Sequence, residues 1–186
     1  MNQQMQHLVL EALEHERGGI DIYRLAVETV RDADLKKEFS SYLQQTRQHE
    51  RLLLTVCEDL GLDPEAETPG RPIVRDNARA LADAIMKARK TGNADLAELV
   101  ACETVVLAET KDHANWELLN QVAQALRGSE RESLQSAVDE IDDEEDEHLS
   151  HSKGWCHELW MKSLGLRAVR PTEKRRHVTT ATGARV

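Results

Sequence analysis

Glu145 and His148 stand three residues apart in the most acidic stretch of the chain, on a line of positions that is otherwise mostly apolar. Alternating steps of four and three from Leu134 reach Val138, Ile141, Glu145, His148, Ser152, Trp155 and Leu159, which is one face of one helix. A carboxylate and an imidazole on a core-facing stripe need a counterpart other than bulk water. A metal ion held by oxygen and nitrogen donors supplies one. The spacing suits it, because residues three apart share a helix face.

Similar positions recur upstream. One stripe reads Met5, Val9, Ala12, Glu16, Gly19, Tyr23, Ala26, Val30, and a second reads Leu35, Phe39, Tyr42, Thr46, His49, Leu53, Val56, Leu60. A third, less regular, places Leu99, Cys102, Val106, Glu109, His113 and Trp116 together. Glu16, His49 and Glu109 thus join Glu145 and His148 as candidate metal ligands, with Glu103 a rival to Glu109. At 1.5 Å rise per residue, Glu16 and His49 lie roughly 25 Å from the turn between their helices. Glu109 and the Glu145/His148 pair lie roughly 28 Å from the next turn, at the opposite end. All five then share one level near the middle of a bundle.

These stripes require four long helices. The first spans about residues 2–30, and Asp32 or Asp34 caps the second, which Gly61 ends. Residues 61–76 read as a loop and 77–90 as a short helix, broken at Gly92 and Asn93. The third long helix covers about 94–127, Gly128 and Ser129 turn the chain, and the fourth covers about 130–164 up to Gly165. The fold class is therefore all-α: two antiparallel hairpins joined by a long crossover that contains a short helix.

Composition agrees. Only 3% of residues are aromatic, glycine and proline number 9 and 4, and the net charge is −10. Residues 166–186 carry a charge of +5, which leaves −15 on residues 1–165. The first segment reads as the bundle domain and the second as a basic, disordered tail. An acidic body disfavours nucleic acid as a partner. Three scattered cysteines form no zinc ribbon. The N-terminus lacks the pattern of a signal peptide and no apolar run is of membrane-spanning length, so the expected location is cytoplasmic with no membrane partner.

The segments EHERGGIDIY and DDEEDEHLSH, with this topology, resemble the ferritin-like superfamily of bacterioferritins, rubrerythrins and related di-iron carboxylate proteins. The family pattern has Glu on helix one, Glu-x-x-His on helix two, Glu on helix three and Glu-x-x-His on helix four. The resemblance implies a ferritin-like four-helix bundle and a di-iron or di-manganese site. It implies Glu16, His49, Glu109, Glu145 and His148 as ligands, and a role in iron handling or in O2 or peroxide redox chemistry, ferroxidase- or peroxidase-like. Metal ions and O2 or peroxide would be the partners, and a homodimer through outer apolar positions fits bundles of this class.

One position departs from the pattern. Thr46 stands where the carboxylate preceding His49 is expected. Glu50, Glu103 or His113 are candidates to compensate. Without compensation the site holds one ion, holds two weakly, or is vestigial. The alternative function is accordingly a non-catalytic helical interaction or stress protein with an incomplete site.

Overall fold

The computed structural model describes residues 1–167, apart from the side chain of Asp142. The expected tail falls almost wholly outside the described residues. Five helices and no strand occur among the described residues: α1 (Gln3–Thr29), α2 (Ala33–Asp59), α3 (Arg71–Lys90), α4 (Ala94–Ala125) and α5 (Gly128–Ser163). Among the described residues no helix is long and apolar enough to cross a membrane.

Local chemistry sets the ends. The Asn2 side chain accepts from Met5 N, Asn93 from Leu96 N, and Asp32 from Asp34 N and Leu35 N, so Asp32 is the cap of α2. Glu98 of α4, nearly inaccessible, accepts from the amides of Arg31 (2.7 Å) and Asp32 (2.8 Å) and pins the α1–α2 turn. Gly61 closes α2 at φ +64, with Leu62 N donating to Cys57 O at 2.8 Å. Gly128 and Ser129, expected in a turn, belong to the first turn of α5, where Gly128 has φ +61.

The connector helix departs further from expectation. It begins at Arg71, not residue 77, and Pro72 lies in its first turn. Proline costs nothing there, because the first N–H groups of a helix have no intrahelical acceptor. Arg71 fixes this start. Its amide donates to Thr68 Oγ1, and its fully buried guanidinium donates to Pro64 O, Ala66 O and Glu14 of α1. α3 packs closely on α1, since a Cβ at Gly18 would lie 2.5 Å from the Ala78 Cβ.

Four helices pack as a ring, α1 against α2, α2 against α5, α5 against α4 and α4 against α1, with α3 on the α1 and α4 side. Two apolar clusters fill it. One contains Val9, Leu13, Leu53, Val56, Leu119, Leu134 and Ile141, and the other Ile22, Ala26, Phe39, Tyr42, Cys102 and Val105. Helices α1 and α5 meet the first cluster near their start, and α2 and α4 meet it near their end. Between the clusters, each of the four helices turns polar.

Candidate metal centre

Six side chains converge on this polar layer: Glu16 of α1, His49 of α2, Glu109 and Asp112 of α4, and Glu145 and His148 of α5. None is more than 5% exposed. They arrive because each continues an apolar stripe, so the force that buries Leu13, Leu53, Val105 and Ile141 also buries them. On α5 the acidic run splits by helical phase. Ile141, Glu145 and His148 turn inward, whereas Asp139, Glu140, Asp143, Asp146 and Glu147 face solvent.

The distances are short and the hydrogen bonds few. His49 Nδ1 lies 3.1 Å from Glu145 Oε1 and 3.7 Å from Glu16 Oε1. His148 Nδ1 lies 3.5 Å from Glu109 Oε2 and 3.8 Å from Glu145 Oε1. Donor atoms of Glu109, Glu145 and His148 all fall within 4.8 Å of one another. One ion about 2.0–2.2 Å from each could bridge them. Six buried atoms here, Glu16 Oε2, His49 Nδ1, Glu109 Oε2, Asp112 Oδ1 and both Glu145 oxygens, have no hydrogen-bond partner. Orphaned buried acceptors at this density are costly in a dry protein interior.

The electrostatics match. Burial pushes the Glu16 carboxyl well above its ordinary range, the charges of Asp112 and Glu145 add to this, and only the Trp116 hydrogen bond opposes. Asp112 is raised by burial and then by Glu145 and Glu109, and Glu145 by burial and then by Glu109. Carboxyls buried this close together disfavour one another's ionised forms, and a cation placed among them would favour those forms.

Both histidines are held by their outer nitrogens. His49 Nε2 lies 3.0 Å from Glu144 Oε2, and His148 Nε2 lies 3.0 Å from Gln45 Oε1. Partial burial works to raise Glu144, but hydrogen bonds from His49 and Gln45 outweigh it and the carboxyl is lowered. An ionised Glu144 only accepts, so the Gln45 amide nitrogen faces it and the Gln45 carbonyl oxygen faces His148. With an acceptor at each outer position, both imidazoles donate from Nε2 and turn Nδ1 toward the cluster. The brace is reciprocal: α5 orients the histidine of α2, and α2 orients the histidine of α5. Outer partners of this kind fix the orientation of a metal-binding imidazole.

Aromatic rings close the layer. Tyr42 packs on His148 with centroids 4.1 Å apart, Trp116 lies edge-on to His49 at 6.0 Å, and Tyr23 lies 6.3 Å from His148. Trp116 Nε1 donates to Glu16 Oε1 at 2.8 Å, leaving Oε2 without a partner.

The five residues expected from sequence are thus brought side by side. The suggested stand-ins are elsewhere. Glu103 accepts from Trp160 Nε1, His113 bonds Asp146, and Glu50 bonds Arg17. Thr46 is buried with its hydroxyl spent on Tyr42 O, 2.9 Å away. The sixth residue, Asp112, escaped the sequence reading because the stripe assigned to α4 drifts by one position. Val105 and Asp112 face inward, and Val106 and His113 sit at the edge. Its signal was the Glu109-x-x-Asp112 spacing, the same as Glu145-x-x-His148. His15, beside Glu16 in sequence, is half-buried with Nε2 3.1 Å from Ala108 O.

No family model, curated protein or solved structure matches this chain.

Proposed function

We propose that the chain is a ferritin-like four-helix-bundle protein whose central cluster binds two iron or manganese ions, for redox chemistry with O2 or peroxide or for iron handling. The observation that carries this reading is the set of six orphaned buried donor atoms at one level of the bundle. The order of the apolar clusters along each helix supports it too, since α2 and α4 run the same way and need the long α3 connector between them. The donor count also supports it. Di-metal bundles use four carboxylates and two histidines. Here Asp112, across the ring, restores the carboxylate that Thr46 lacks.

Bound iron or manganese would supply one-electron redox steps and an open position for an oxidant. The chain's own residues do the rest. Glu145, whose oxygens have no hydrogen-bond partner and whose Oε1 lies 3.1 Å from His49 Nδ1 and 3.8 Å from His148 Nδ1, would be the central ligand. Glu16, His49, Glu109 and His148 would hold the ions around it, and Asp112 would offer its unpartnered Oδ1. Tyr42, Trp116 and Tyr23 exclude water, and Glu144 keeps a proton on His49 Nε2.

Thr46 favours a second reading, a non-catalytic interaction or stress protein with a vestigial site. Elemental analysis of protein purified without chelator separates the two. The di-metal reading expects about two Fe or Mn per chain, lost in Glu145→Ala. Protein that takes up no metal even after anaerobic Fe(II) loading would leave only the second reading.

A further inference from the structure

We propose that Cys102 and Cys156 form a reactive dithiol that a hydroperoxide oxidises to a disulfide joining α4 to α5. The inference does not depend on the metal reading.

Cys102 is fully buried, and its thiol donates to the carbonyl oxygen of Ser152 at 3.7 Å. In a regular helix that oxygen is also the acceptor of the Cys156 amide, so the Cys102 sulfur sits against the backbone that carries Cys156. Cys156 is half-buried and packs on the apolar cluster that contains Cys102. One sulfur is therefore reachable by a small oxidant and the other is shielded behind it. The two thiols also act on each other. Contact with Cys156, then burial, raises Cys102, while contact with Cys102 lowers Cys156 despite burial and the nearby Glu103. The difference in burial makes Cys156 the attacking thiol and Cys102 the resolving one.

The chemistry closes with no further reagent. The Cys156 thiolate attacks one peroxide oxygen, the O–O bond breaks, and the departing oxyanion takes a proton to leave as an alcohol, or as water from hydrogen peroxide. The resulting sulfenic acid is attacked by the Cys102 sulfur. The S–S bond forms as the S–O bond breaks, and hydroxide leaves as water with the Cys102 proton. Two thiols lose two electrons, and one peroxide gains them.

Cys57 is an internal control. It is buried in the other cluster, and burial pushes its thiol up to about 11. The experiment treats the full chain with one equivalent of hydrogen peroxide, with a chelator present to suppress iron-driven oxidation. The expected result is a fall from three free thiols to one. The intact mass should lose two hydrogen atoms, a Cys102–Cys156 cross-linked peptide should appear, and a dithiol reductant should reverse all of this. Cys57→Ser should form the same cross-link, its two thiols falling to none, and in Cys102→Ser a 1,3-dicarbonyl probe should trap a sulfenic acid on Cys156. The proposal fails if excess peroxide leaves all three thiols intact. It also fails if Cys156 pairs with a second chain, or is overoxidised while Cys102 stays reduced. Should Cys102→Ser not fold, the Cys57→Ser protein decides alone.

Discussion

Glu14 and Glu16 are two residues apart on α1 and both are buried, yet the protein treats them in opposite ways. Glu14 meets Arg71 Nη2 at 2.7 Å and Arg75 Nε at 2.8 Å. Burial works to raise its carboxyl, but the hydrogen bonds from Arg75 and Arg71 outweigh it and the carboxyl is lowered. Glu16 meets Asp112, Glu145 and Glu109, has one donor in Trp116, and is pushed far up. Where a carboxylate serves the fold, the chain supplies arginine. Around Glu16 it supplies three more acids and two imidazoles. The difference marks Glu14 as a clamp on the connector and Glu16 as one of a cluster of buried acids with no arginine beside it.

Removing the arginine should give the largest effect on stability. Arg71→Ala strips Glu14 of one cation and two connector carbonyls of their donor, and should cost about 3–5 kcal/mol by urea denaturation. A loss below about 1 kcal/mol would mean that Arg75 suffices and the clamp is weaker than its burial implies.

The central cluster should respond through metal. Gln45→Ala removes the carbonyl that orients His148 and should weaken Fe(II) or Mn(II) binding about 10–100-fold in a competition titration, with stability nearly unchanged. Unaltered affinity would show that the brace is not part of the site.

Asp112→Asn should have the smaller and more diagnostic effect on folding. In chelator, removing one of several facing charges should stabilise the protein by about 1–2 kcal/mol while metal binding falls. Destabilisation in chelator would place Asp112 with Glu14, as a structural acid.

The smallest effect is a pH trend of opposite sign in the two regions. Glu16, Asp112 and Glu145 have raised folded values, so their contribution is greatest below the unfolded carboxylate range and is lost as pH rises through the folded values. Glu14 is lowered, so its contribution is present above the unfolded value and is lost as pH falls through the folded one. Metal-free protein should thus lose thermal stability as pH rises above the ordinary carboxylate range, and Asp112→Asn should flatten the slope. A slope unchanged in that variant would assign the trend to overall surface charge.

The four long helices were legible from sequence because each carries an unbroken stripe of period near 3.6, and caps such as Asp32 and Gly61 act on neighbours a few residues away. The start of α3 was not, because Arg71 is held there by Glu14 and by Pro64 and Ala66 carbonyls, contacts that exist only once α1 and the connector meet. In the same way, the sequence alone established that Glu16, His49, Glu109, Glu145 and His148 interrupt apolar stripes, since helical phase is a local property. Only the tertiary structure decided that Asp112 joins them and that His113 and Glu103 do not. α4 packs against α1, α3 and α5 together, so its buried face is too broad for one stripe to define. Which of its acids turns inward is set by neighbours on three other helices.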